Sequence, residues 1–417
     1  MMLLPAGAAP EARLLLLGRA LRAFTDGFVA ILLPVYLLAL GLGKWEVGLI
    51  SSATLLGSAL ATLAIGQWGH RFIQRRLLLA AAGLMTATGL VLAGLGGMGG
   101  IGAFWPLLIV AFVGTMNPSS GDVSVFLPLE HARLAASAQG EACTFLFARY
   151  TFVGACCAAL GSLATAFPEV LTTAGVSQLD ALRLMFVAYG LAGVAIFFLY
   201  RALPDSSGQD QAGPPAALGP SRGVVIKLAA LFSVDAFAGG LIVNTLLALW
   251  LFERFELSLA AAGQFFFWAG LLSAASQLAA PWVARQIGLI NTMVFTHIPS
   301  SVCLILAAFA ESLPTALALL FVRSALSQMD VPTRSAFVMA VVTPQERAAA
   351  ASFTAVPRSL AAAASPAIGG ALFDAGWLAT PLVACGLLKI AYDLMLWRTF
   401  RRSEAASREG KHDQGAL

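Results

Sequence analysis

Four aspartates stand inside long apolar stretches of the sequence: Asp26, Asp122, Asp235 and Asp330. A charged side chain at the centre of a bilayer costs at least about 2.5–3.5 kcal/mol, so a charge that is retained there is usually functional. A carboxylate removed from water can exchange its proton near neutral pH. Asp26 and Asp235 are therefore candidates for proton coupling or for substrate contact, and a structural role for either stays open.

Two arginines follow the other two aspartates at nearly equal spacings. Arg149 stands 27 residues after Asp122, and Arg358 stands 28 residues after Asp330. The repeated spacing predicts that each carboxylate pairs with its guanidinium near the cytoplasmic mouth of the protein and exchanges partners as that mouth opens. The alternative is a static ion pair that only holds the helices together.

Two further groups of charges share helix faces. Asp330 and Arg334 are four residues apart, and Arg323 lies seven residues before Asp330 on the same face. Because one partner cannot satisfy three charges, this stripe is predicted to line water, with Arg323 and Arg334 as cavity candidates. Lys389 and Asp393 are also four apart, and this spacing predicts a structural pair on the last helix.

Motifs of enzymes and metal sites are missing from the sequence. Its five cysteines lie in apolar stretches without a metal-binding spacing, and His297 lies on an apolar helix with no second ligand in its pattern. There is no H-E-x-x-H, no G-x-S-x-G and no Walker loop. The sequence therefore predicts no enzyme, no metal site and no cofactor, and it predicts that His297 is buried and hydrogen-bonded.

The composition shows which solvent surrounds these charges. Of 417 residues, 59% are hydrophobic and 11% charged, whereas about a quarter of the residues in a soluble domain are charged. These values exclude a soluble enzyme, a nucleic-acid binder and a disordered chain, and they predict an all-α protein in a lipid bilayer. Apolar runs of roughly 20 residues, the length that crosses a bilayer, occur twelve times. The predicted spans are 17–42, 45–68, 76–98, 101–127, 142–168, 180–203, 223–252, 257–284, 287–310, 314–342, 348–373 and 376–400.

The chain also repeats itself at an offset of half its length. Asp26 and Asp235 are 209 residues apart, and so are Arg149 and Arg358. This offset predicts two pseudo-symmetric halves of six helices each, a parallel repeat of the kind that builds transporters. The predicted parts are a first half (1–203), a cytoplasmic linker (204–222), a second half (223–400) and a disordered cytoplasmic tail (401–417).

Basic residues predict the orientation of the helices. With both termini in the cytoplasm, seventeen of the 25 Lys and Arg residues fall in cytoplasmic segments and three fall on the opposite side. Cytoplasmic loops of membrane proteins carry such an excess. We therefore expect a multi-pass protein of the inner (plasma) membrane with both termini inside.

The loop between the second and third spans carries a family resemblance. Residues 66–76 are similar to the signature G-x-x-x-D-R-x-G-x-R-R/K of the major facilitator superfamily, although His70 stands where the acid usually is. The matching residues are Gly66, Arg71, Arg75 and Arg76. The resemblance extends over nearly the whole chain. It implies that the first, fourth, seventh and tenth helices line a central cavity. The four aspartates fall in these same four predicted spans.

Together these features predict a secondary transporter that moves a small solute by alternating access, as a monomer in the lipid bilayer. We expect protons as the coupling ion and efflux as the direction. One alternative is a facilitator or importer of a small organic anion, suggested by the arginines of the tenth helix. An alternative of another class is a non-transporting membrane scaffold or sensor, which should tolerate neutralisation of the intramembrane aspartates.

Overall fold

Helices account for nearly all of the protein that the computed structural model describes, which is residues 9–94, 100–119, 124–138, 140–205, 219–343 and 346–414. No strand occurs in these ranges. Two short 3-10 turns, Gly69–Arg71 and Ala164–Ala166, accompany sixteen α-helices. The helices are α1 (Ala12–Ala39), α2 (Lys44–Trp68), α3 (Gln74–Gly94), α4 (Ile101–Val113), α5 (Phe126–Ser137), α6 (Gly140–Leu163), α7 (Phe167–Thr173), α8 (Gln178–Arg201), α9 (Arg222–Gly240), α10 (Asn244–Phe255), α11 (Leu259–Ile287), α12 (Leu289–Ala308), α13 (Leu313–Ser327), α14 (Asp330–Val341), α15 (Arg347–Asp374) and α16 (Thr380–Gln414).

Nine helical segments in the described ranges are long and apolar enough to cross a membrane. They coincide with nine of the twelve predicted spans, and the protein is therefore an integral membrane protein. The predicted fourth, tenth and eleventh spans are present as helices but fall short of that length or hydropathy. The fourth is reduced to the shorter apolar helix Gly102–Val113. The last helix continues to Gln414, so the segment predicted as a disordered tail is helical as far as the described residues extend.

Three of the predicted spans are discontinuous. The fourth is divided between α4 and α5, the seventh between α9 and α10, and the tenth between α13 and α14. After α4 the chain is irregular, and Asn117 Oδ1 accepts hydrogen bonds from the backbone N–H and the hydroxyl of Ser119. Irregular backbone at membrane depth is tolerated where protein buries it or where it lines a cavity. The breaks therefore mark positions where a site can form.

The first compact unit contains Met1–Ala212, Ile242–Gly270 and Ala363–Trp377. It combines α1 to α8 with α10, the start of α11 and the end of α15. Its helices approach closely at glycines. A Cβ atom on Gly27 would come within 3.0 Å of the Ser162 backbone nitrogen, and one on Gly89 would come within 2.7 Å of the Gly190 Cα. Small residues at such crossings are typical of membrane helices, which gain their association from close packing.

The second compact unit contains Gly213–Leu241, Leu271–Ala362 and Leu378–Leu417. It holds α9, α12, α13, α14 and α16 together with the larger parts of α11 and α15. Its apolar core includes Phe232, Met293, Phe337, Tyr392 and Leu396. Phe232 and Tyr392 pack edge to face, with ring centroids 6.5 Å apart. This core supports the ionisable residues of α9, α12, α14 and α16.

Candidate functional site: a buried ionic cluster

Four helices of the second unit bring six ionisable side chains together, which we call the ionic cluster. Its acidic members are almost fully buried: Asp235 is 4% exposed and Asp393 is 0% exposed. The six residues are Asp235 on α9, His297 on α12, Asp330 and Arg334 on α14, and Lys389 and Asp393 on α16.

Asp235 lies between two cations. Lys389 Nζ donates to its Oδ1 at 2.6 Å, and Arg334 Nη2 lies 3.4 Å from its Oδ2. Arg334 Nη2 also donates to Asp330, one turn earlier on the same helix. The structure therefore pairs Asp330 with Arg334 and places no ion pair between Asp330 and Arg358. It brings together three residues that the sequence analysis selected as coupling, cavity or gate candidates: Asp235, Asp330 and Arg334.

His297 connects Lys389 to Asp393. Its Nδ1 lies 3.0 and 3.1 Å from the two carboxylate oxygens of Asp393, and its Nε2 lies 3.3 Å from Lys389 Nζ. The prediction that His297 is buried and hydrogen-bonded is confirmed. The predicted pair of Lys389 with Asp393 is wrong, because Lys389 extends to Asp235 and Asp393 binds the imidazole instead. Both partners lie on other helices, which the spacing on α16 could not indicate.

The six residues of the ionic cluster do not balance their formal charges by themselves. Three carboxylates contact two permanent cations, Arg334 and Lys389, and the guanidinium of Arg358 lies within electrostatic range of Asp235 as a third cation. Burial disfavours a net charge, and buried charges are therefore normally paired. The charge balance of the cluster therefore depends on a cation outside its direct contacts.

Guanidinium groups in the second unit keep unused hydrogen-bonding capacity. The Nε and Nη1 atoms of Arg334 are buried, and they have no hydrogen-bond partner in the described ranges. Arg358 lies within electrostatic range of Arg334, Asp235 and Tyr392, yet it forms no ion pair with any described residue. Arg323 on α13 likewise forms none there. Such donors suit a carboxylate or phosphate, which a guanidinium can bind through two hydrogen bonds.

The first unit holds the residues that correspond to Asp235 and Arg358. Asp26 on α1 is buried, 7% exposed, and lies within electrostatic range of Tyr189, whose hydroxyl is 3.1 Å from the Thr115 hydroxyl. Arg149 on α6 is half-buried, and its Nη1 has no partner among the residues that the structure describes. Its predicted partner, Asp122, lies outside the described residues.

Sequence analysis missed a second buried ion pair. Arg22 Nη1 lies 2.5 Å from Glu130 Oε1, and both side chains are fully buried in the first unit. The hydroxyls of Tyr150 and Tyr200 donate to the same carboxylate. Arg22 is one of the seventeen basic residues that the predicted orientation places on the cytoplasmic side. The weak pattern that could have revealed the pair is Glu130, an acid in a segment that is otherwise apolar or basic.

Metal ligands do not converge in the described ranges: no three His, Cys, Asp or Glu side chains lie together as a metal site would require.

Comparisons with known proteins identify the fold. No family model matches the chain. An uncharacterised membrane protein of Saccharomyces cerevisiae is 23% identical over 93% of this chain and 94% of its own length. Among solved structures, the nucleoside transporter NupG superimposes with a TM-score of 0.71 at 14% identity, over 94% of this chain and 99% of that one. The human organic anion transporter MFSD10 superimposes with a TM-score of 0.64 at 17% identity, over 93% and 100%.

The chain has the major facilitator fold. This result confirms, at the level of the fold, the resemblance that the loop of residues 66–76 indicated.

The signature loop of this major facilitator fold joins α2 to α3 through the turn Gly69–Arg71. Arg75 Nε forms an ion pair with Asp205 Oδ1 at 2.8 Å, and its Nη1 donates to the Leu203 carbonyl at 3.2 Å. A Cβ atom on Gly66 would meet no atom within 4 Å. Arg71 and Arg76 are exposed. Of the four matching residues, Arg75 is the one that ties the loop to the end of α8.

Proposed function

We propose that this protein is a secondary transporter that moves a small solute by alternating access, and that the ionic cluster couples this movement to protons. The observation that carries the proposal is the buried chain of contacts from Asp393 through the imidazole of His297 and the ammonium of Lys389 to Asp235. Buried ionisable groups that share hydrogen bonds in this way can load and release a proton as their surroundings change. The major facilitator fold supports transport as the activity.

The energetics of the ionic cluster favour a working site over a static one. A buried ion pair contributes little net stability, because desolvation of the charges offsets their attraction. Here the cost is increased by Arg334, which keeps two buried nitrogens without a partner in the described ranges. A scaffold would gain from an apolar replacement of these residues. A transporter needs charges that exchange partners.

The proposed setting is the inner membrane, with both termini in the cytoplasm, and the proposed direction is efflux against inward-moving protons. The distribution of Lys and Arg supports the orientation. The direction is carried over from the sequence prediction. Asp26 and Asp235 remain the proposed coupling pair, with Asp122, Arg149, Asp330 and Arg358 as the proposed gate.

A second candidate function is movement of a small organic anion without protons. The guanidiniums of Arg334 and Arg358 lie within electrostatic range of each other, and they hold more donor groups than the described carboxylates use. An anion between them would relieve the repulsion of the two like charges. MFSD10, which shares the fold, is named as an organic anion transporter.

Reconstituted vesicles test both candidates. Purified protein is sealed into vesicles with a pH dye inside, and pooled solutes are screened for a dye response and for isotopic flux. We expect a solute-dependent response that Asp235→Asn abolishes. Asp180→Asn is the matched control, because Asp180 is exposed and its side chain bonds to nearby Ser177 and Arg183.

Each other outcome selects an alternative. Flux without a dye response, reduced by Arg358→Gln, would establish the anion facilitator. An unchanged response in both Asp26→Asn and Asp235→Asn would reject these residues as the coupling pair. Silence in both assays from folded protein would favour the scaffold.

A further inference from the structure

The imidazole of His297 stands between a carboxylate on one side and an ammonium on the other. We propose that His297 is the residue that binds the coupled proton, and that protonation changes the partner of Asp235 from Lys389 to His297. The inference rests on the proposed function and deepens it, because it assigns the proton to one atom, Nε2 of His297. Asp235 is then the counter-ion that the two cations share.

The hydrogen bonds around His297 define its unprotonated state. The ammonium of Lys389 can only donate, so its 3.3 Å contact with Nε2 requires the lone pair of that nitrogen. The proton of the neutral ring then lies on Nδ1 and is donated to Asp393, 3.0 Å away. Asp393 therefore fixes the tautomer and leaves Nε2 as the basic atom of the cluster.

Binding of a proton at Nε2 makes the present contact with Lys389 impossible. Nε2 loses its lone pair, and two cationic donors then face each other across 3.3 Å. The ring is held by Asp393, which is fully buried, and by edge-to-face packing on Tyr392 at 6.3 Å. Lys389 is held less firmly, since its long flexible side chain is 14% exposed. The lysine therefore moves and the ring stays.

Asp235 is placed to receive the new donor. Its Oδ1 accepts from Lys389 Nζ at 2.6 Å and lies 3.9 Å from His297 Nε2. A protonated Nε2 can close this gap with a small movement and replace Lys389 on the same oxygen. Uptake of one proton thus releases one ammonium from α9, while Asp235 stays ionised and paired.

Charged and titratable groups reach the ionic cluster from every helix packed around α12. Asp393 is the carboxylate that holds the ring, and Asp235 is the one that a second ring proton would reach. Lys389 opposes protonation, and so does Arg334, which is already committed to Asp330 and Asp235. Among the residues that the structure describes, these groups are Asp235 on α9, Arg323 on α13, Asp330 and Arg334 on α14, Arg358 on α15, and Cys385, Lys389, Tyr392 and Asp393 on α16.

Nitrogen NMR of the protein labelled with ¹⁵N-histidine tests the inference without a substrate. The chain has four histidines, so the signal that disappears in His297→Gln identifies this residue. We expect it to change from the Nδ1–H neutral form to the imidazolium as the pH is lowered. His131→Gln is the matched control, because His131 packs on Phe147 and Tyr150 in the first unit.

Two variants should move the midpoint of that change in opposite directions. Lys389→Met removes the competing cation and leaves Asp235 free for the ring, so the midpoint should rise by about one pH unit or more. Asp393→Asn removes the nearest anion, so the midpoint should fall by a similar amount. The His131 signal reports whether each variant is folded. If only one variant folds, the direction in which its His297 midpoint shifts still tests the inference. Two results would overturn the inference and assign the proton to a carboxylate. One is a His297 that stays neutral while the protein binds a proton, and the other is a His297 midpoint that neither substitution changes.

The vesicle assay separates this inference from the proposed function. Solute flux that still carries protons in His297→Gln would reject His297 as the proton site and leave coupled transport standing. A His297 that titrates as expected in a protein that moves no solute would leave the proton site standing and reject transport.

Discussion

Arg22 and Glu130 show how the first unit tolerates a buried charge. Besides its bond of 2.5 Å to Nη1, the carboxylate receives Arg22 Nη2 at 3.0 Å and the hydroxyls of Tyr150 and Tyr200. The guanidinium carbon lies 4.6 Å from the centre of the Phe126 ring. The carboxylate is therefore fully compensated by groups from three other helices. Because of this compensation, each of the two charges can stay buried at low cost only while its partner is present.

Loss of one partner should destabilise the protein far more than loss of both. Glu130→Gln leaves a buried guanidinium without its counter-ion, which costs about 3–5 kcal/mol. The double variant Arg22→Met/Glu130→Leu should recover most of this loss. Thermal unfolding in detergent measures both effects. Arg183→Ala, which breaks an exposed pair with Asp180, is the control and should cost less than about 1 kcal/mol. Equal losses in Glu130→Gln and the control would show that the pair is not tightly coupled.

At the scale of elements, one carboxylate joins the start of α9 to the segment that precedes α15. Glu346 Oε1 accepts the Gly219 backbone N–H at 2.5 Å, and its Oε2 accepts the hydroxyls of Ser221 and Thr343, each at 2.6 Å. These hydrogen bonds lower the pKa of Glu346 from 4.5 to about 2, and the one from Ser221 has the largest effect. The ionised form is thus favoured in the folded protein.

The stabilising effect of Glu346 should depend on pH in a defined direction. Because its pKa is lower in the folded chain, its contribution is complete above about pH 4.5 and is lost as the pH falls through about 2. Glu346→Gln should therefore lower the denaturation midpoint at pH 7, and its difference from wild type should shrink toward pH 2. Glu311→Gln, at an exposed turn, is the control. A difference that is independent of pH would mean that the charge of Glu346 contributes nothing.

Helices α2 and α15 meet at a pair of glycines in the first unit. A Cβ atom on Gly370 would come within 2.7 Å of the Lys44 carbonyl oxygen and 2.8 Å of the Gly48 Cα. Nearby, the Ala367 backbone N–H donates to Ser52 Oγ at 2.9 Å. Under the orientation proposed above, this contact lies toward the external end of both helices.

Gly370→Leu should separate these two helices. Overpacking of this kind costs about 1–3 kcal/mol and is relieved by movement of the backbone. In a background without the native cysteines, Ser52→Cys should then react several-fold faster with an external, membrane-impermeant maleimide. Gly83→Leu is the matched control, since a Cβ atom there would meet nothing within 4 Å. An unchanged rate in Gly370→Leu would show that the glycine contact does not limit access.

For the whole molecule, the distribution of basic residues predicts which side each loop faces. A fluorescent protein fused after Leu417 should be bright, because such fusions fold in the cytoplasm. Alkaline phosphatase fused after Gly175, in the turn between α7 and α8, should be active, because it requires the opposite side. If the C-terminal fusion is not fluorescent and the fusion at Gly175 is inactive, the orientation is the opposite of the one proposed.

Local properties of the chain determined the class of the protein and the positions of its helices. The length of an apolar run and the side on which its flanking arginines fall need no knowledge of neighbouring helices. For this reason the predicted spans coincide with helices or with pairs of helices. The buried state of Asp26 and Asp235 followed from the same argument, since both lie within such runs.

The choice of ion-pair partners was decided by the tertiary structure. Lys389 lies four residues from Asp393 yet binds Asp235, 154 residues away, and Asp393 binds His297, 96 residues away. Arg22 reaches Glu130 across 108 residues. Spacing along one helix reports only which residues share a face. The partner of a buried charge depends on which helices are adjacent. A carboxylate that is removed from water pairs with whichever cation those helices bring within reach.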